Sequence, residues 1–124
     1  MQPIFLSLAA ALLVVTMLIH SIFGQRRLMR PLLDEKTGIM QRPLARFIVP
    51  FAWHLTSLLG LVIAAVLLAW AWGPEHARTI GVAGTGLVFT IVGIVDAIGS
   101  RGRHIGWPFL TAIGLISLAA LFLV

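Results

Sequence analysis

Three ionisable side chains interrupt otherwise apolar stretches of this 124-residue sequence: His20, His54 and Asp96. Charged or titratable groups are costly within a membrane, so each marks a candidate functional site. Imidazoles titrate near neutral pH and carboxylates carry protons along buried chains, so the set suits a proton or cation relay. Two histidines with one carboxylate would also suit a divalent metal. Two facing histidines could instead hold haem b axially, although Ala9 and Gly24 near His20 suggest little cleared space for it. The plainest alternative is a buried hydrogen-bonded network that pins helix register. Gln25, Ser57, Trp53 and His104 add donors and acceptors near the same level.

These residues lie on four apolar runs, about 3–23, 47–72, 79–98 and 105–124. Hydrophobic residues make up 60% of the chain and charged residues 10%, with a mean hydropathy of +1.05. A soluble domain needs more polar surface than that. Each run matches roughly 30 Å of hydrocarbon, and none alternates as a strand would. The expected architecture is therefore all-α, a single membrane domain of four transmembrane helices in an up-down-up-down bundle. The first run has no basic residue before its apolar core and no cleavage pattern after it, so it reads as an uncleaved span. With no cysteine, thiolate metal sites and disulfides are excluded.

Arg26, Arg27, Arg30, Lys36, Arg42 and Arg46 fall in loop 24–46, Arg101 and Arg103 in the third loop, and only Arg78 in the second. The positive-inside rule makes loops one and three cytoplasmic and both termini external, in a bacterial inner membrane. It also accounts for the net charge of +5, so that charge does not call for a nucleic-acid partner. Threaded this way, His20, His54 and Asp96 gather at the cytoplasmic end. Arg26, Arg27, Arg30, Arg101, Arg103 and His104 form a rim that could meet anionic lipid. Residues 26–33 alternate basic and apolar character, which fits an interfacial helix, though simple topology accounts for them more economically. Trp70, Trp72 and Trp107 mark span ends, and His76 should be solvated.

On the third span, Gly86, Thr90, Gly93, Ala97 and Ser100 share a face, a small-residue seam for close helix packing. Asp96 beside it should point inward and find an arginine or histidine partner. On the first span, Ala9, Leu13, Thr16, His20 and Gly24 share a face; on the second, so do His54, Ser57, Leu61 and Ala65. Pro50 is expected in the first turn of the second helix. Thr56 and Ser57 would hydrogen-bond to their own helix. No nucleophile elbow, HExxH pair or phosphate-binding glycine loop is present, which argues against an enzyme.

The segments at 20–33 (HSIFGQRRLMRPLL), 51–57 (FAWHLTS) and 99–108 (GSRGRHIGWP) resemble a group of small bacterial four-span inner-membrane proteins with no assigned activity. The resemblance spans essentially the whole chain and implies that His20 and His54 mark motif cores. The group often has Glu where this chain has Gln25, which would remove one ligand or proton acceptor here. The chain does not resemble the small multidrug transporters, because its first span has no carboxylate, nor the small fluoride channels. The expected role is a binding or accessory subunit, in a homo-oligomer or with other membrane subunits, assembled through the seam on the third span. A proton- or cation-conducting channel or carrier formed by oligomerisation is the alternative, and a metal- or haem b-binding membrane protein a further one.

Overall fold

A computed structural model describes residues 1–123 and shows an all-α chain. Helix α1 (Gln2–Gly24) does not end where the basic residues begin. It runs through one π-helical turn (Gln25–Met29) into α2 (Arg30–Glu35), making a helical rod of 34 residues, roughly 50 Å long. Loop 24–46 is therefore largely helical, which corrects the expected boundary. The backbone N–H of Arg30 reaches the carbonyl of Gln25, five residues back. Pro31 follows, and its ring crowds the carbonyl of Arg27; widening the preceding turn lets the helix continue. The rod stops at Lys36, in the left-handed region with φ 50°.

After a short 3-10 turn (Gly38–Gln41), α3 (Pro43–Trp72) begins four residues earlier than the apolar run suggests. Pro43, not Pro50, occupies the first turn, where its missing N–H is harmless. Pro50 instead lies inside α3 and removes one hydrogen bond, to the carbonyl of Arg46. The Arg46 guanidinium reaches back to the carbonyl of Leu33 at 2.6 Å, satisfying an acceptor at the end of α2. Gly73 ends α3, a 3-10 turn (Pro74–His76) follows, and α4 runs Ala77–Gly99. Helix α5 (Trp107–Ala120) has only 14 residues, roughly 21 Å, against the 20-residue span expected at 105–124. Among the described residues three helices are thus long and apolar enough to cross a membrane, and one apolar helix is shorter.

Helices α1, α3, α4 and α5 pack antiparallel in succession. Gly60 of α3 receives Met17 of α1, and Gly24 receives Trp53. Between α3 and α4, Gly84 meets Val62, Gly81 meets Val66 and Gly99 meets Phe47. Between α4 and α5, Gly86 meets Leu118, Gly93 meets Thr111 and Gly114 meets Thr90. The close backbone approaches are α1 with α3, α3 with α4 and α4 with α5, so the helices stand in a row. The seam of Gly86, Thr90 and Gly93 is therefore taken up by α5 within the chain, and Ala97 continues it half-buried. That overturns the expectation that this seam would join subunits.

The pattern of burial is inverted relative to a soluble protein. Phe5, Ile98 and Ile116 are 68%, 74% and 70% exposed, while the largest fully buried side chain is Asp96. Apolar residues ring the helices rather than fill a centre, as lipid-facing surfaces require.

Candidate functional site

The interior polar side chains form separate knots. In the first, between α1 and α3, Ser21 Oγ lies 2.9 Å from His54 Nδ1 and donates to Ser57 Oγ, also at 2.9 Å. Ser57 Oγ in turn donates to the carbonyl of Met17 at 3.3 Å. Because the one Ser21 proton goes to Ser57, His54 Nδ1–H is the donor to Ser21. The other ring nitrogen, Nε2, lies 3.0 Å from the Gln25 carboxamide oxygen. The Gln25 carboxamide thus closes the second ring nitrogen as the Ser21 hydroxyl closes the first. His54 is therefore saturated by its own helices, and Ser57 bonds across to α1 instead of back along α3.

In the second knot, the His20 ring stacks on Trp53, with centroids 4.1 Å apart and planes 9° from parallel. Trp53 Nε1–H donates to the His20 carbonyl at 3.0 Å. Thr56 Oγ1 donates to the Trp53 carbonyl at 2.7 Å, so His20 Nε2–H is the donor to Thr56, at 3.1 Å. Gly24 makes this possible: a Cβ there would stand 2.6 Å from the indole nitrogen.

In the third, Asp96 Oδ2 accepts from His104 Nδ1 at 2.5 Å. Asp96 is wholly buried, whereas the His104 side chain is 28% exposed. His104 arrives by a fold-back at the end of α4. Gly102 N–H bonds the carbonyl of Ala97 and Arg101 N–H that of Ile98, a Schellman closure with Arg101 left-handed at φ 53°. The expected partner for Asp96 is thus a histidine and neither arginine. Asp96 Oδ1, Ser100 Oγ and Thr90 Oγ1 are buried with no partner among the described residues.

His20 and His54 lie level, on the same turns of α1 and α3. Asp96 does not join them. The facing pairs Phe47–Gly99 and Val62–Gly84 place Asp96 opposite Pro50, roughly 6 Å further along the axis than His54. Among the described residues no group of three or more His, Asp or Glu side chains converges. The proposed metal triad of His20, His54 and Asp96 is therefore not formed. Nor do the two histidines face each other as haem b ligands, since one is stacked on Trp53 and the other is bonded at both nitrogens.

Ser21, not among the residues expected at the site, links His54 to Ser57, and Trp53 carries the stack and hydrogen bond of the second knot. The face of α1 against α3 carries Ala10, Met17, Ser21 and Gly24, spaced seven, four and three apart, and Thr16 points away to bond its own Leu12 carbonyl. That spacing, small and hydroxyl residues together, was the available signal. On α3 the buried stripe is Ser57, Gly60 and Ala64, with Leu61 exposed.

At the basic end, Arg27 lies 5.6 Å over the Phe23 ring, and Arg26 and Arg30 are exposed. Arg101 and Arg103 border a cleft facing the start of α3. His104 is engaged with Asp96 and does not belong to a free rim. At the opposite end, His76 is exposed beside Glu75, and Trp72 Nε1–H donates to Ser7 at 2.9 Å. No known protein family, curated protein or solved structure matches this chain.

Proposed function

We propose that the chain is a small multi-pass protein of a bacterial inner membrane, acting as a binding or accessory subunit in an oligomer or larger membrane complex. What supports this reading is the row of helices. Helix α1 is held along one side by α3, and its other sides present Phe5, Leu8, Leu12, Val15 and Ile19 outward. The interior polar groups of the α1–α3 knots, by contrast, satisfy one another, as a framework would require. The eight basic residues at one end, against Arg78 at the other, favour that end as cytoplasmic. Assembly would use α1, because the small-residue face of α4 is covered by α5.

The chain has no cysteine, so single replacements report cleanly. Leu12→Cys in native membranes should give an oxidative dimer or a cross-link to a neighbouring subunit, and Gly86→Cys should not. A monomer with no cross-link at any outward α1 position would refute the reading. Lys36→Cys should be shielded from an impermeant thiol reagent in intact cells, and Glu75→Cys labelled.

A second reading, a proton or cation path formed by several copies, has one observation in its favour. Asp96 is buried with Oδ1 unpartnered, and its histidine partner is open to the basic end. Asp96→Asn should then abolish dye-reported flux in liposomes. Unchanged flux would end this reading.

A further inference from the structure

The groove between α3 and α4 changes character along its length. At the basic end it opens into a cleft of about 380 Å³ bordered by Pro43, Leu44, Gly99, Ser100, Arg101 and Arg103. Further in lies a slot of about 450 Å³ walled by Phe51, Leu55, Leu58, Val92 and Val95, with Arg46 at its near end. Both volumes are in the range of ligand sites. Phe47 of the slot, stacked on Phe51 at 5.4 Å, packs on Gly99 of the cleft, so cleft and slot adjoin at that contact.

The cleft gathers donors for an anion. Arg101 and Arg103 are exposed, and among the described residues neither guanidinium makes a hydrogen bond or ion pair. Helix α3 has 30 residues and no side-chain cap, which leaves first-turn N–H groups, including that of Leu44, without an intrahelical acceptor. Ser100 is 96% buried, borders the cleft, and among the described residues has no partner for its hydroxyl. Asp96, the nearest acid in sequence, is engaged by His104. The slot below is largely apolar, with Arg46 at its near end and the Gln25 and His54 side chains, engaged with each other, on its wall.

We infer that this composite groove binds one anionic phospholipid of the basic-end leaflet. Its phosphate sits in the Arg101–Arg103 cleft and an acyl chain lies in the slot beneath. An arginine pair and helix N–H groups match a phosphate, whereas the largely apolar walls of the slot match an acyl chain. The inference rests on the membrane reading above.

The test uses the full chain, stripped of lipid in mild detergent. It is titrated separately with phosphatidylglycerol, phosphatidylcholine and inorganic phosphate, and adducts are counted by native mass spectrometry. Phosphatidylglycerol should be retained one per chain, in preference to phosphatidylcholine. Arg101→Gln with Arg103→Gln should weaken it roughly thirtyfold, taking the attraction of two arginines for an anionic headgroup. Arg26→Gln with Arg27→Gln should leave it unchanged. Val92→Phe, which fills the slot, should weaken the lipid without affecting inorganic phosphate. Equal retention of the two lipids, or equal loss in both arginine pairs, would overturn the site. Inorganic phosphate binding as tightly as the lipid, with Val92→Phe silent, would make it a free-anion site and overturn the lipid assignment. A chain stable in buffer without detergent would instead refute the membrane reading.

Discussion

Removing His104 should destabilise the protein far more than neutralising Asp96. When charged, the pair gains about 4 kcal/mol at an effective dielectric near 20 for centres about 4 Å apart. Burial of the wholly enclosed carboxylate costs several kcal/mol, so the intact pair is close to balance. His104→Ala deletes the gain and keeps the cost, since Oδ1 already lacks a partner and Oδ2 would lose its own. The expected loss is about 3–5 kcal/mol, the range for breaking a buried pair from one side. Asp96→Asn keeps an acceptor for His104 Nδ1–H and removes the charge, so it should cost under about 1.5 kcal/mol. Adding His104→Ala to Asp96→Asn should cost much less than His104→Ala alone. The assay is unfolding of the detergent-solubilised chain, with the four variants compared as a double-mutant cycle. If His104→Ala unfolds like the parent while Asp96→Asn collapses, Asp96 is not a one-partner buried carboxylate and the reasoning fails.

Three further outcomes follow from the packing. Gly93→Ala should loosen α5 by about 1–3 kcal/mol, because the new Cβ would stand 2.5 Å from the Thr111 backbone nitrogen; Gly81→Ala, facing only a Val66 methyl at 3.3 Å, should be nearly silent in the same melt. Ser21→Ala should cost about 1–2 kcal/mol by cutting the His54–Ser57 link, whereas Thr16→Ala, on the outward side of α1, should leave the melting curve unmoved. Arg101→Gly should raise stability by about 0.5–1 kcal/mol by relieving the left-handed residue, and should lower phosphatidylglycerol retention at the same time.

The helices were legible because unbroken apolar runs leave a backbone little else to form in hydrocarbon. The burial of Asp96 was legible too, since a lone carboxylate in such a run has to turn inward. Its partner was not: His104 reaches it only because Arg101 and Gly102 both take positive φ, a reversal no hydrophobic period encodes. The faces of α1 and α3 were read about one residue out, which is a rotation of roughly 100° on a helix. His20 and Thr16 drew the eye as polar markers, yet the packing follows Ala10, Met17, Ser21 and Gly24. The basic segment after Gly24 looked like a loop by composition, and nothing in charge alone distinguishes a loop from a helix continuing past the membrane edge. Convergence of His20, His54 and Asp96 failed because helix order decides it: α3 turns His54 toward α1, while the fold-back after α4 engages Asp96.

The row of helices bears on how the chain can be made. Every close helix pairing joins segments that are neighbours in synthesis. Helix α3 can dock on α1 as soon as it enters the bilayer, α4 on α3, and α5 on α4, with no early helix held open for a late one. Contacts between sequence neighbours need only short chain closures, which are the quickest to form. The order of emergence from the ribosome can therefore serve as the order of assembly, and a truncation after Gly99 should still leave α1, α3 and α4 paired.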